Sequence, residues 1–209
     1  MLKFFFVRHG ETLSNTIHTL QGWSDTPLTK SGIKQGHDLG KGMEDVPILK
    51  IYTSTSERAY DTACCLRGNR NIEIIMDKGL KEMNFGLKEC QSNRFKGCQC
   101  YHDLVFYPWD EFDGENLDIL TDRMTNTLKR LVNENKNLNG NIICVSHGLA
   151  ILSCIRAIDT EKFNYCMDND VRFDNCSVTT FIHDNNKFTV DAINDMKYVR
   201  SGEMKWKKL

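Results

Sequence analysis

The chain has 209 residues, with 27 Lys and Arg against 28 Asp and Glu for a formal charge of -1, so no global field draws it to nucleic acid or anionic lipid. Hydrophobic residues at 40% and charged residues at 26% exclude a disordered, collagen-like or disulfide-scaffold chain. A chain this long buries roughly 70% of its unfolded surface and needs neither metal nor disulfide to hold together.

The first segment, Leu2 to Val7, is an apolar and aromatic run without helical periodicity that ends at a Gly-containing turn, which predicts a buried strand. The run stops at Arg8, too soon for a secretory core or a membrane span. A helix is predicted over Ser31 to Met43 from a Ser N-cap signal, then a strand over Leu49 to Thr53 and a helix over Ser56 to Leu66 after a Ser/Thr-rich turn. Ile72 to Met76 predicts another strand, and Asn116 to Val132 a helix with Leu117, Leu120, Met124, Leu128 and Leu131 at helical spacing. Ile142 to Val145 predicts a strand followed directly by a helix over Leu149 to Ile158, and Val178 to Ile182 a last strand. Between them, Lys88 to Gly114 mixes cysteines, aromatics and charges without a period around Pro108 and reads as an irregular excursion or lid.

Strands alternating with helices predict an α/β fold: a single-domain three-layer sandwich over residues 1–209, with a mainly parallel sheet covered by helices on both faces. The nine cysteines form an odd set without a signal peptide, so reduced thiols in the cytoplasm are expected. Cys90, Cys98, Cys100 and His102 could in principle ligate Zn²⁺, but Cys98-Gln99-Cys100 lacks the spacing of a zinc knuckle and no second pair follows. The expectation is no metal and no cofactor.

Ligands of open parallel sheets bind beyond the carboxyl ends of the strands. Three predicted strands run there into polar clusters: Arg8-His9-Gly10-Glu11-Thr12, Ser54-Thr55-Ser56-Glu57-Arg58 and Ser146-His147-Gly148. Two histidines and two arginines at one sheet edge suit phosphoryl transfer. Neutral imidazole is a nucleophile toward phosphorus, and the planar guanidinium fork binds phosphate oxygens in pairs. Such transfer asks chiefly for positioning and charge stabilisation.

These clusters resemble the signatures of the histidine phosphatase, or phosphoglycerate mutase-like, superfamily. The opening Arg8 to Thr12 with Asn15, then Gln21-Gly22, Asp25, Pro27-Leu28-Thr29 and Gly32, is similar to its N-terminal block, and Ser54 to Ala59 with Thr62-Ala63 to its second. Leu80 to Gly86, Gly114-Glu115-Asn116 with Arg123, Val145 to Gly148, and Asn175 with Ser177 follow in family order. The resemblance implies a phosphomonoester hydrolase in which His9 becomes a phosphohistidine, with Arg8, Arg58 and His147 forming a cationic phosphate pocket. Asn15 is implied as a further oxygen donor, Gln21 and Gly22 as substrate-binding residues, and Glu82 as the proton donor to the leaving group. Partial burial beside Phe85 is expected to raise the pKa of Glu82, and His147 is expected to serve as a cation beside neutral His9.

The sequence departs from the family at Lys88-Glu89-Cys90, where many small-molecule phosphatases carry Trp, Glu and Gly. The stretch from Glu82 to His147 is shorter than the insertion usual in phosphoglycerate mutases, which favours hydrolysis of a small phosphorylated metabolite. A cofactor-dependent mutase or related phosphotransferase is the enzymatic alternative, and a non-catalytic phospholigand-binding module is the other. Neither nucleic acid nor membrane is expected as a partner.

Overall fold

A computed structural model describes residues 1–207, so the final two positions of the expected 1–209 domain lie outside the described residues. Six strands form one sheet: β1 (Leu2–Arg8), β2 (Ile48–Ser54), β3 (Ile74–Asp77), β4 (Gly140–Ser146), β5 (Val178–Asp184) and β6 (Lys187–Asp195), in the order β3-β2-β4-β1-β5-β6. β1 to β4 are mutually parallel, whereas β5 runs antiparallel to β1 and β6 antiparallel to β5.

The continuous apolar runs of β1 and β4 arise because the sheet is covered on both faces. Phe4 and Phe6, with Ile142 and Cys144, enter one core; Phe5 and Val7, with Ile143 and Val145, enter the other. The first core is closed by α5 (Leu117–Glu134), α6 (Gly148–Ile158) and α7 (Thr160–Asp168). The second is closed by α2 (Lys30–Gly42), α3 (Glu57–Arg67) and α8 (Lys197–Trp206). Of the two short helices, α1 (Leu13–Thr16) follows β1, and α4 (Tyr101–Phe106) adds Tyr101 and Val105 to the first core.

Local differences from the sequence reading have identifiable causes. α2 starts at Lys30 because Thr29, not Ser31, is its N-cap, its hydroxyl accepting the Gly32 amide at 3.0 Å. β6 completes a hairpin whose two-residue turn, Asn185-Asn186, places both residues at positive φ (48° and 61°), the conformation that matches strand twist. That Asn-Asn pair was the available signal for β6. α8 packs against α2 at close backbone approach: a Cβ on Gly202 would stand 1.8 Å from the Asp38 carbonyl oxygen, and one on Gly42 1.8 Å from that of Tyr198.

Residues 88–114 contain α4 and a 3₁₀ turn at Trp109–Phe112, and they pack into the first core through Val105 and Trp109. The Trp109 ring is completely buried, meets Phe85 edge-on at 4.7 Å, and donates its indole N–H to the Leu104 carbonyl at 3.0 Å. Replacing Trp109 with Ala is therefore expected to destabilise the fold by about 3–5 kcal/mol. Denaturant unfolding checks this; a loss below about 0.5 kcal/mol, the range of surface substitutions, would mean that the segment is not part of the cooperative core.

Candidate active site

The register of the parallel strands assembles the site. Arg8 at the end of β1 pairs with Ser146 at the end of β4, and Thr53 near the end of β2 pairs with Val145. The loops that follow these three adjacent strands therefore leave the same sheet edge, bringing His9, His147 and the Ser54–Arg58 turn together.

His9 is 4% exposed. Its Nδ1 lies 2.8 Å from the Gly10 carbonyl oxygen, which can only accept, so Nδ1 carries the proton and the lone pair resides on Nε2. Burial, then repulsion from Arg58 and Arg8, holds the ring well below the ordinary histidine value of 6.5. The imidazole is thus presented as a neutral nucleophile. Asn175 fixes the backbone around it, donating its side-chain amide to the His9 carbonyl at 2.9 Å.

Arg58 is 1% exposed and is held by four contacts. Nη1 donates to the Ser24 carbonyl and to Asp25, both at 2.9 Å, while Nη2 donates to the Gly22 carbonyl at 2.8 Å and to His147 Nδ1 at 3.0 Å. Its Nε is buried without a partner among the described residues. A buried, unmatched cationic N–H is costly unless an acceptor reaches it, and Arg58 lines the same cavity as His9, where a phosphoryl oxygen would be an acceptor. Arg8 hydrogen-bonds the Phe173 carbonyl and lines the same cavity.

His147 departs from expectation. A guanidinium can only donate, so His147 Nδ1 must accept from Arg58, and Nε2 then donates to Ser54 Oγ at 2.8 Å. Both ring nitrogens are occupied within a completely buried side chain. Burial, Arg58 and His9 push its pKa well below 6.5. The expected cation is here a neutral ring, 5.2 Å from that of His9 between centroids, set behind the nucleophile and orienting Arg58.

Glu82 caps a helix that begins elsewhere in the chain. Its Oε2 accepts the Leu149 amide at 3.2 Å and its Oε1 the Ala150 amide at 3.0 Å in the first turn of α6, and Oε1 also accepts the Met83 amide at 2.9 Å. Those bonds and Arg58 favour the anion, but burial outweighs them and moves the carboxyl above its ordinary 4.5. A carboxyl so placed can hold a proton for a leaving group.

The cavity in front of these groups measures about 210 Å³ and is also lined by Asn15, Gln21 and Gly22. Asn15 uses Oδ1 to accept the Thr12 amide at 3.1 Å and the Asn175 amide at 3.3 Å, leaving Nδ2 without a partner among the described residues. Gln21 is engaged within its loop, donating to Thr26 Oγ1 and accepting from Thr12 Oγ1, both at 3.0 Å. Gly22 sits at φ +50°, and a Cβ there would lie 2.2 Å from Glu89 Oε1.

Several supporting residues escaped the sequence reading as such. Glu89, in the departing Lys88-Glu89-Cys90 segment, accepts the amides of Trp23 at 2.6 Å and Phe85 at 3.2 Å and that of Ser24, so it anchors the Gly22 loop. Arg123 pairs with Glu115 at 2.7 Å and donates to the carbonyls of Gly79, Lys81 and Glu82, fixing the segment that carries the acid. Trp23 donates its indole N–H to the Glu82 carbonyl at 3.0 Å. Cys98 is buried with its thiol toward the Asn93 carbonyl, and Cys100 caps α4; among the described residues no group of three or more His, Cys, Asp or Glu side chains is placed to hold a metal ion. No helix among them is long and apolar enough to cross a membrane.

The chain is similar in sequence and in fold to known proteins. A protein of Yersinia pestis (strain Pestoides F) named "Probable phosphoglycerate mutase GpmB" is 37% identical over 89 residues, which cover 43% of this chain and only 41% of that protein. The crystal structure of a phosphoglycerate mutase from Bacillus anthracis str. Sterne superposes with a TM-score of 0.84 at 27% identity, covering 97% of this chain and 96% of that one. A phosphoserine phosphatase variant from Entamoeba histolytica, in complex with phosphoserine, superposes with a TM-score of 0.78 at 27% identity over 95% and 99% of the two chains. The sequence profile of the histidine phosphatase superfamily (branch 1) matches residues 4–196, so this chain belongs to that superfamily.

Proposed function

We propose that the protein hydrolyses phosphomonoesters of small metabolites through a phosphohistidine on His9, without a metal or other cofactor, in the cytoplasm. The observation that carries the reading is the Nδ1–Gly10 hydrogen bond, which leaves His9 Nε2 as a neutral nucleophile in a cavity that Arg58 also lines. In the first step Nε2 attacks phosphorus, the ester P–O bond breaks, and Glu82 gives its proton to the leaving oxygen. In the second, water attacks the phosphohistidine, the N–P bond breaks with its electron pair returning to Nε2, and the Glu82 carboxylate takes the water's proton. Arg8, Arg58 and Asn15 supply charge and donors to the equatorial oxygens, the role a metal plays elsewhere. All nine cysteines are unpaired, as suits a reducing compartment.

The likeness to phosphoglycerate mutases supports a second reading, in which the phosphohistidine returns its group to a bound acceptor before water reaches it. A panel of phosphomonoesters assayed in EDTA, with phosphate release and phosphoglycerate isomer interconversion measured side by side, separates the two. Release is expected to outpace interconversion; the reverse would establish the mutase. Tight phospholigand binding with neither reaction would instead make this a binding module.

A further inference from the structure

Glu89 lies outside the phosphate cavity, yet it holds the loop on which Arg58 rests. Its Oε1 accepts the Trp23 amide at 2.6 Å and the Phe85 amide at 3.2 Å, and its Oε2 accepts the Ser24 amide. Three backbone N–H groups meeting at one point demand an acceptor, and a carboxylate offers one at each oxygen. The chain on either side is pinned as well. The Leu20 amide donates to the Gln91 carbonyl and the Cys90 amide to the Leu20 carbonyl, both at 2.8 Å.

The carbonyls of the same loop seat the guanidinium. The peptide group joining Gly22 to Trp23 accepts Arg58 Nη2 on its oxygen at 2.8 Å and gives its N–H to Glu89, so it lies between a cation and an anion with its dipole aligned to both. Hydrogen bonds in such a chain polarise and strengthen one another. Ser24 repeats the pattern one residue on, its amide held by Glu89 while its carbonyl accepts Arg58 Nη1 at 2.9 Å. There is no slack in the arrangement, since a Cβ on Gly22 would stand 2.2 Å from Glu89 Oε1.

A second route leads from Glu89 toward the acid, because Phe85 follows Glu82 in the chain and Trp23 donates its indole N–H to the Glu82 carbonyl at 3.0 Å. That segment has its own supports, however. Arg123 donates to the Gly79, Lys81 and Glu82 carbonyls at 2.8–2.9 Å, and Glu115 accepts the Asn84 amide at 3.0 Å. We infer that Glu89 is a positioning residue for Arg58, acting on the phosphoryl group from outside the cavity through the Gly22–Trp23 peptide. The inference rests on the reading of that cavity as a phosphoryl-transfer site and adds a residue that sets its affinity for phosphate.

The test is a cycle of four proteins: unaltered, Glu89→Gln, Arg58→Gln and the double variant. Dissociation constants for inorganic phosphate are measured by calorimetry, and kcat/KM is measured for 4-nitrophenyl phosphate and an alkyl phosphate. Glutamine matches glutamate in shape but turns an NH₂ group toward amide donors. Glu89→Gln is expected to weaken phosphate binding about tenfold and to lower kcat/KM on both esters by a similar factor, because the phosphoryl group is common to them. In the Arg58→Gln background the same substitution is expected to change kcat/KM by less than about twofold. A loss confined to the alkyl ester would mean that Glu89 acts through Glu82, and it overturns the inference. So does a loss that persists undiminished without Arg58, or no loss at all.

Denaturant unfolding accompanies every variant. Should Arg58→Gln not fold, the comparison of aryl with alkyl ester decides alone. Should Glu89→Gln not fold, Glu89→Asp replaces it, keeping the charge but drawing it back by one methylene from the amides; failure of both would make Glu89 a residue of the fold and end the inference. If phosphate binds but no ester is hydrolysed, the hydrolase reading fails by itself and the phosphate dissociation constants decide. A protein that neither binds phosphate nor hydrolyses esters overturns both.

Discussion

Replacing His9 with Ala is expected to lower kcat on every phosphomonoester by about 10⁴-fold or more, the scale seen when a covalent nucleophile is removed from a site whose other groups persist. The same substitution is expected to abolish an acid-labile phosphoryl label on the protein. Both losses have one cause. His9 Nε2 is kept free by the Gly10 carbonyl on the opposite nitrogen and is kept unprotonated by burial and by repulsion from Arg58 and Arg8. The side chains of Arg8, Arg58 and Glu82 are held by bonds that do not pass through the His9 ring, so the pocket should survive the truncation and still bind inorganic phosphate. Rapid-quench labelling with a radioactive ester, together with phosphate release, measures the effect. Undiminished release by the variant would remove His9 as nucleophile.

Replacing Glu82 with Gln is expected to lower kcat/KM for alkyl phosphates by about 10²–10⁴-fold, the usual contribution of a general acid. An aryl phosphate such as 4-nitrophenyl phosphate should lose about tenfold at most, because its leaving group departs without a proton. The pH dependence has a definite sign. Glu82 works as an acid only while protonated, and its pKa is raised above 4.5, so activity on alkyl esters falls as pH rises through that elevated value. His9 works only while neutral, and its pKa lies well below 6.5, so the acid-side loss is confined to pH well under 6.5. His147 adds no alkaline limb, because it is already neutral. In Glu82→Gln the alkaline limb that Glu82 causes should disappear from the alkyl-ester profile. Equal losses on alkyl and aryl esters would reject Glu82 as the acid while leaving the phosphohistidine step intact.

Much of the architecture was legible in the sequence because its strongest signals are local. The runs at Phe4–Val7 and Ile142–Val145 are apolar at successive positions, which only an element buried on both faces requires, and each ends in a polar cluster that the parallel sheet must place at one edge. Arg8, His9, Arg58, Glu82 and His147 were named from those clusters and from family resemblance, and the structure brings them together around one cavity and its buried rear wall. β6 and α8 were not legible: β6 is an edge strand with few buried side chains, and α8 depends on the backbone approach that Gly42 and Gly202 permit against α2.

What only the tertiary structure decided is the state of the chemical groups. His147 reads from sequence as a cation for phosphate, yet an Arg58 N–H aimed at its Nδ1 makes the ring an acceptor. Glu89 stands in a segment that departs from the family pattern, yet three amides from two separate loops converge on its carboxylate. Residue type and hydrophobic period follow from the chain alone, since both are local. Protonation, hydrogen-bond direction and desolvation depend on which distant groups arrive within about 3–4 Å, and the packed fold alone determines that.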